Sequence, residues 1–365
     1  MKRFALLIAV LTVFAIIAIG WTRQRKPPQP PVSQLVEVLS PKLSANDSAR
    51  FHPLLRESDK NSLNDPKFTK LKAYLLLNSE TGEVYSAKSA IEKIPPASLT
   101  KLVTAMVALD VSTSSAVLSA SNKAAAQEPT VLGVKVGETF TLEELTTAMI
   151  TTSANDATTI VSEEVLKPYQ GDESVFVALM NKKAELLGLG NTHFTNSQGF
   201  DDDKQFTNAY DLARIAHYAY RNYPLIRQAA ATRYTTLEKT DTHGFYHLPN
   251  WNALLGSYPG VDGLKIGYTD TAGHSTIVTA KRKDTQLIAI VIGAESIIDR
   301  DLAAATLLNF GFKQDGIKPV IVNEALIKPR LDEWRQLRDK ILKELENEKT
   351  NTQTSTESAK LTDQE

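Results

Sequence analysis

Three apolar segments late in the chain restrict its fold more than any other feature. Residues 263–268, 275–282 and 286–293 each have the composition of a β-strand, and only short turns separate them. Connections this short allow only antiparallel pairing, because a parallel crossover needs a dozen or more residues. The sequence therefore predicts an antiparallel sheet in this region.

A second group of strands lies far from the first in sequence. Residues 73–78 and 83–86 form a predicted hairpin around the turn 79–82. Between the two β regions, helical spacing or capping signals predict helices at 98–110, 141–150, 156–165 and 211–221, and a last helix at 299–309 follows the strands. We therefore expect an α/β protein of the α+β type. Both ends of the region build one antiparallel β-sheet flanked by helices, with a mainly helical insertion.

Composition excludes several classes of function. The chain has 365 residues with 41 Lys and Arg against 42 Asp and Glu, so it lacks the basic excess typical of nucleic-acid binders. It has no cysteine, which rules out disulfides, thiolate nucleophiles and iron–sulfur clusters. Six histidines argue against a His-rich metal site. We expect no metal, no cofactor and no nucleic-acid partner.

The N-terminus predicts an extracytoplasmic protein held at the membrane. An uncharged run of 18 residues, 4–21, has basic residues on both sides. As a helix it would span about 27 Å, close to the thickness of a bilayer core. A signal peptide cleaved after the small residues at 18–20 is the alternative, with a secreted product. We favour an uncleaved anchor, because Trp21 followed by three cations is a poor start for a mature protein.

The remaining chain divides by composition. Residues 22–70 are Pro-rich and polar and are predicted to be a linker, and residues 71–315 are predicted to form the main folded domain. Residues 316–348 carry an amphipathic helix, and residues 349–365 are predicted to be a disordered polar tail. The apolar stripe of that helix is expected to pack on the globular domain, with a membrane-surface or partner-helix role as the minority reading. The stripe consists of Leu331, Trp334, Leu337, Ile341 and Leu345.

The first candidate for chemistry is Ser98 with Lys101, at the predicted start of a helix. The i,i+3 spacing places both side chains on one face, and the positive end of the helix favours a developing alkoxide. A neighbouring lysine acts as general base when burial or a second cation lowers its pKa. Taken alone, the pair is equally compatible with a helix-capping serine and a solvated lysine.

Two further short patterns follow in the chain. Ser153 and Asn155 lie between two predicted helices, where a serine and an asparagine can point into one cleft or merely cap a helix. Lys265 and Gly267 alternate along a predicted strand, where the glycine lets a ligand approach the backbone. Each pattern alone has an ordinary structural explanation.

Together the three patterns carry a specific resemblance. Ser-x-x-Lys, Ser-x-Asn and Lys-x-Gly occur in this order in penicillin-binding proteins and class A β-lactamases. The surrounding residues 73–88, 187–200 and 261–273 add to the likeness. The chain resembles the D-alanyl-D-alanine carboxypeptidases of the low-molecular-mass penicillin-binding family over roughly residues 70–312. This implies the serine DD-peptidase fold, peptidoglycan stem peptides as substrates, and β-lactams as covalent inhibitors.

The resemblance also implies roles for the matching residues. Ser98 attacks the carbonyl of the D-Ala-D-Ala bond to form an acyl-enzyme, Lys101 takes its proton, and Ser153 relays a proton to the leaving amine. Asn155 binds the substrate backbone or holds Lys101, and Lys265 supplies positive potential.

The same resemblance implies the groups that bind charge on the substrate. The backbone N–H groups of Ser98 and of Tyr268, which follows Gly267, form an oxyanion hole. Arg300 matches an arginine that binds the terminal carboxylate of the substrate. Surface ion pairs at a helix start are the alternative for Arg300.

One residue departs from the family pattern. Ile266 stands where the third motif normally has threonine or serine, whose hydroxyl helps to hold the substrate carboxylate. Compensation by Arg300, Thr269 or Ser275, altered specificity such as DD-endopeptidase action, and a weakly active penicillin-binding or sensing module all remain open. A β-lactamase is the other alternative, but the Glu-x-x-Leu-Asn motif expected of class A enzymes is missing between Ser153 and Lys265.

Overall fold

A computed structural model describes residues 51–56, 63 and 65–362, the last part (345–362) by its backbone alone. The strands are β1 (Ala73–Asn78), β2 (Val84–Lys88), β3 (Val117–Ser119), β4 (Thr139–Thr141), β5 (Tyr234–Leu237), β6 (Tyr246–Pro249), β7 (Val261–Gly267), β8 (His274–Arg282) and β9 (Thr285–Ala294). The helices are α1 (Pro66–Thr69), α2 (Lys101–Val111), α3 (Asn122–Ala125), α4 (Leu142–Thr151), α5 (Asn155–Glu164), α6 (Glu173–Leu186), α7 (Ala209–Asn222), α8 (Pro224–Ala231), α9 (Ile297–Gln314) and α10 (Glu324–Thr362). Short 3₁₀ turns span Ala97–Thr100 and Lys167–Tyr169.

The main sheet confirms that both β regions combine. Its strand order is β2-β1-β9-β8-β7, and every neighbouring pair is antiparallel. β1 pairs with β9 from Ala73 opposite Ile292 to Asn78 opposite Leu287, so the early hairpin is bonded to the last strand. β7 is therefore left at the edge of this sheet. The antiparallel sheet and the helical insertion between its halves were both predicted correctly.

The sheet is covered on both faces, because alternate residues of its strands enter two different cores. In β1, Leu75 and Leu77 pack with the helices of the insertion, whereas Tyr74 and Leu76 pack with α9. These side chains are at most 1% exposed. Two buried faces explain why the strands read as continuous apolar runs and show little polar alternation.

The predicted helices all form, with ends shifted by a few residues. The capping box is present: the Thr141 hydroxyl accepts the Glu144 N–H, and the Glu144 carboxylate accepts the Thr141 N–H. The helix predicted from 98 instead begins at Lys101, and a tight 3₁₀ turn precedes it. That turn places Ser98 just outside the α-helix.

Two of the predicted boundaries need correction. Part of the predicted linker packs on the folded domain, because Phe51 stacks on His217 at 3.7 Å and Phe68 of α1 is 2% exposed. The expected disordered tail is helical in the structure as far as Thr362. Extending an existing helix costs far less free energy than starting a new one. The prediction considered only the polar composition of residues 349–365 and left out the helix that precedes them.

The predicted anchor, residues 4–21, lies outside the described residues. Among the residues that are described, no helix has the length and apolar character needed to span a membrane. Two residues of the predicted apolar stripe pack on the domain: Trp334 is buried in the α9 core, and Leu331 packs against it.

Candidate active site

The turn that carries Ser98 is tightly constrained. Ala97 has a φ of +49°, a left-handed conformation that costs a non-glycine residue roughly 1–3 kcal/mol. The backbone of Gly199 lies against this turn, and a Cβ on Gly199 would come within 1.9 Å of the Ala97 carbonyl oxygen. Ser98 itself is half-buried. The strained turn therefore holds the Ser98 hydroxyl where an incoming ligand can reach it.

The amine of Lys101 lies at the centre of the site. Its Nζ donates to Ser98 Oγ at 2.8 Å, to Asn155 Oδ1 at 2.8 Å and to the carbonyl oxygen of Gln198 at 2.7 Å. The side chain is wholly buried, and burial lowers the pKa of Lys101 to about 7, although the charge of Asp156 acts in the opposite direction. A lysine in this state can accept a proton from Ser98 near neutral pH.

Asn155 holds Lys101, one of the two roles that the family resemblance implied. As the first residue of α5, it accepts from Lys101 through Oδ1 and donates through Nδ2 to the carbonyl of Glu128 at 2.8 Å. The neighbouring Asp156 is 1% exposed, and its carboxylate accepts from backbone N–H groups of residues 132–134. This network fixes the start of α5 beside the Lys101 amine.

Ser153 lies in the connection between α4 and α5, two residues before Asn155. Its φ of +70° is a second strained backbone angle beside the site, and the residue is 4% exposed. Within the described part of the chain, its hydroxyl makes no hydrogen bond. Ser153 is therefore joined to the lysine network through Asn155, and no hydrogen bond connects its hydroxyl to Ser98 in the described residues.

The end of β7 runs along the Ser98 turn. A Cβ on Gly267 would lie 3.1 Å from the backbone nitrogen of Ser98, so a side chain here would fit only if the turn moved by a few tenths of an ångström. The side chain of Tyr268 points away into solvent, stacks on His274 at 4.3 Å and donates to Asp270. Any role of Tyr268 in the site must therefore come from its backbone.

Lys265 adds a second buried amine. It is 2% exposed, and its Nζ donates to the Ile266 carbonyl at 3.0 Å. Burial and the nearby charges of Lys101 and Arg300 lower the pKa of Lys265 well below its usual range. These causes disfavour the protonated form of Lys265, and an anion bound beside the amine would favour that form again.

Arg300 is not the surface residue considered as an alternative. It is 1% exposed and forms a two-point ion pair, in which Nε and Nη2 donate to the carboxylate of Asp301 at 2.7 and 3.0 Å. Nη2 also donates to the carbonyl of Trp251. Among the described residues Nη1 has no hydrogen-bond partner, so this nitrogen remains able to donate.

The two hydroxyl groups considered as compensation for Ile266, those of Thr269 and Ser275, already have hydrogen-bond partners. The Thr269 hydroxyl donates to Asp201 at 2.7 Å, and Ser275 Oγ lies between the Gly273 carbonyl and the Gly293 N–H. Asp201 thus ties its loop to the β7–β8 turn. Within the described residues, no cluster of three or more His, Asp or Glu side chains is arranged to hold a metal ion.

Sequence reasoning missed one partner of Lys101. This partner is the backbone carbonyl of Gln198, which accepts from the Lys101 amine. The side chain of Gln198 is itself held in place, because its Nε2 donates to the Thr159 hydroxyl at 2.8 Å. No residue-type pattern marks a backbone acceptor. The sequence held only an indirect sign of this acceptor, the glycine that follows it at position 199. Glycine is needed there because the backbone of residue 199 lies against Ala97.

Comparisons with known proteins identify the family of this chain. The family described as D-alanyl-D-alanine carboxypeptidase matches residues 60–296. The chain is 30% identical over 275 residues to the D-alanyl-D-alanine carboxypeptidase DacF of Bacillus subtilis, covering 73% of this chain and 68% of that protein. It is 31% identical over 254 residues to DacC of Escherichia coli, covering 66% of this chain and 61% of the relative, which is less than two thirds of its length.

Solved structures give the same result. The Streptomyces K15 DD-transpeptidase superposes with a TM-score of 0.62 and 26% identity, over 67% of this chain and 97% of that one. The D-alanyl-D-alanine carboxypeptidase DacD of Francisella tularensis gives a TM-score of 0.58 and 27% identity, over 66% and 70% of the two chains. The chain belongs to the D-alanyl-D-alanine carboxypeptidase family of serine DD-peptidases.

Proposed function

We propose that this protein is a serine-type D-Ala-D-Ala carboxypeptidase that removes the terminal D-Ala from peptidoglycan stem pentapeptides. The observation that carries the proposal is the 2.8 Å bond between the Lys101 amine and the Ser98 hydroxyl, combined with a pKa of about 7 for that amine. A serine hydroxyl at its ordinary pKa is a weak nucleophile and needs such a base.

The reaction begins when neutral Lys101 takes the Ser98 proton while Ser98 Oγ attacks the carbonyl carbon between the two D-Ala residues. The oxyanion of the tetrahedral intermediate accepts from the backbone N–H groups of Ser98 and Tyr268, which the approach of Gly267 to the Ser98 turn would bring to one side. The C–N bond then breaks, and a proton passes from Lys101 through Ser153 to the leaving amine of D-Ala. Water hydrolyses the ester on Ser98 and restores the free hydroxyl.

The substrate's terminal carboxylate would lie against Lys265, with Arg300 Nη1 behind it. A carboxylate bound beside Lys265 would favour the protonated form of this amine, which burial and the neighbouring positive charges disfavour in the free enzyme. β-Lactams carry an equivalent carboxylate beside their reactive carbonyl and would acylate Ser98 in the same way. They are therefore proposed as covalent inhibitors.

Mass spectrometry after incubation with penicillin tests the acyl-enzyme. The wild-type chain should gain the mass of one penicillin on the peptide that contains Ser98, and the Ser98→Ala variant should gain none. Release of D-Ala from a pentapeptide then separates hydrolysis from binding alone. A wild-type chain that neither gains this mass nor releases D-Ala would contradict the proposal.

A weakly active penicillin-binding module is the second candidate, and Ile266 is the observation that favours it. Ile266 is half-buried on β7 and offers no hydroxyl to a carboxylate. Thr269 and Ser275 are bonded elsewhere. Covalent labelling by penicillin without measurable release of D-Ala would identify this alternative.

We also infer that residues 4–21 anchor the protein with its catalytic domain on the extracytoplasmic face of the cell membrane. The uncharged run and its basic flanks support this location. Fractionation of cells that express the full chain should find it in the membrane pellet. A soluble protein that has lost its first twenty residues would instead support cleavage and secretion.

A further inference from the structure

The C-terminal helix α10 packs beside the segment that supports the cationic side of the active site. Trp334 of α10 lies edge-on to Trp251, with ring centroids 5.3 Å apart. Arg330 is 2% exposed and donates through Nη2 to the carbonyl of Asn250 at 3.2 Å. Two consecutive residues of the segment between β6 and β7 thus contact one face of α10.

The same short segment is bonded to the site. The carbonyl of Trp251 accepts from Arg300 Nη2 at 2.9 Å, and the N–H of Ala253 donates to Asp301 at 3.2 Å. Asn252 Nδ2 donates to the carbonyl of Gly263, two residues before Lys265 on β7. The segment 250–253 therefore connects α10 to both the Arg300–Asp301 pair and the strand that carries Lys265.

These contacts have an electrostatic consequence for the site. Arg300 is one of the two charges that act on buried Lys265, so the position of its guanidinium contributes to the field at the Lys265 amine. The Trp251 carbonyl is the only described acceptor of Arg300 outside Asp301. A shift of Trp251 would move Arg300 relative to Lys265. Because Ile266 offers no hydroxyl, binding of a carboxylate depends more heavily on this field.

We propose that Trp334 and Arg330 of α10 are positioning residues for recognition of the substrate's terminal carboxylate, acting through segment 250–253 on Arg300 and Lys265. This inference rests on the proposed carboxypeptidase activity. The helix touches neither the substrate nor the reacting atoms, and its effect is confined to one end of the site. The Ser98–Lys101 pair is held by separate contacts with Asn155 and Gln198.

The test compares two substrates in the full chain: a diacylated tripeptide ending in D-Ala-D-Ala, and the same peptide with its terminal carboxylate converted to an amide. The ratio of their kcat/KM values measures recognition of the carboxylate. In Trp334→Ala this ratio should fall by about fivefold or more relative to wild type, mainly through a higher KM for the free acid. Trp334→Phe, which keeps a ring against Trp251, should restore most of the ratio.

Two further variants complete the experiment. Leu342→Ala, on the exposed part of the same helix, is the matched control and should leave the ratio unchanged. Arg330→Gln weakens the hydrogen bond to Asn250 and keeps the pair of Trp251 and Trp334, so it should lower the ratio by a smaller factor than Trp334→Ala does. If Trp334→Ala does not fold, the ratio of Arg330→Gln is used to test the role of α10 in its place.

The outcomes are distinguishable. If Trp334→Ala loses activity on both peptides in equal proportion, or keeps a ratio within twofold of wild type, the role of α10 is overturned. If the wild-type chain releases neither D-Ala from the free acid nor D-alaninamide from the amide, the carboxypeptidase proposal itself fails.

Discussion

The pKa of one side chain, Lys101, sets the pH range in which the site should work. Burial lowers this pKa from 10.5 to about 7, so the amine becomes neutral, and able to act as a base, as the pH rises through 7. The rate of Ser98 acylation by penicillin should therefore rise about tenfold per pH unit below 7 and level off above it. Stopped-flow or quenched labelling between pH 5 and 9 measures this profile.

The control for this profile is a change of the base itself. Lys101→Arg keeps a positive charge but has a far higher pKa, so acylation should be almost lost across the whole range. A wild-type profile that is flat between pH 5 and 7 would remove Lys101 as the base.

Ile266 is the second residue with a measurable consequence. Ile266→Thr should speed acylation by penicillin by up to about ten- to a hundredfold, since a hydrogen bond to a charged group contributes about 1.5–3 kcal/mol. Threonine is also β-branched, so the strand should be preserved. Ile266→Val, which lacks the hydroxyl, is the matched control. Equal acylation rates for wild type and Ile266→Thr would mean that Ile266 does not limit carboxylate binding.

At the scale of elements, the Ser98 turn depends on the loop that packs against it. Gly199 has a φ of +92°, and an added Cβ would meet the Ala97 carbonyl oxygen at 1.9 Å, a backbone atom that cannot swing aside. Gly199→Ala should therefore displace the turn or the Gln198 carbonyl, and lower penicillin acylation by about a hundredfold or more.

A second glycine provides the control. Gly190, in the preceding loop, has open space around its Cβ position. Gly190→Ala should leave acylation within a factor of about two of wild type. Normal labelling of Gly199→Ala by fluorescent penicillin would show that the turn does not need this close contact.

The elements also show how far sequence alone can go. The antiparallel strands and the capped helix α4 were predictable, because short turns and the Thr141–Glu144 capping box are local signals. Ser98 and Lys101 were predictable from their i,i+3 spacing once the other motifs were recognised. The Gln198 carbonyl and the Asp301 partner of Arg300 were not, since long-range packing selects them and neither a backbone acceptor nor an adjacent aspartate has a distinctive pattern.

At the scale of the whole molecule, one order of assembly follows from the topology. β9 pairs with β1 on one side and with β8 on the other. The complete sheet can therefore form only after the chain of the helical insertion, which lies between β1 and β9, has been synthesised. Pairing at such sequence separation is slow in folding, because loop closure precedes any gain from the contacts. The insertion therefore needs interactions of its own to keep its helices together.

A buried ion pair supplies one such interaction, and its removal gives the last prediction. Lys183 of α6 donates to Asp110 of α2 at 2.8 Å and to the hydroxyl of Tyr223, which in turn donates to Asp110; both charged side chains are 0% exposed. Lys183→Met leaves the Asp110 carboxylate buried without its cation. It should lower the free energy of unfolding by about 3–5 kcal/mol, measured by urea denaturation.

The double variant Lys183→Met/Asp110→Leu removes both charges and should recover part of this loss, since two apolar side chains need no counter-charge. If the single variant unfolds at the same urea concentration as wild type, the pair does not hold α2 and α6 together. If the double variant is no more stable than the single one, the cost comes from lost packing and not from an uncompensated charge.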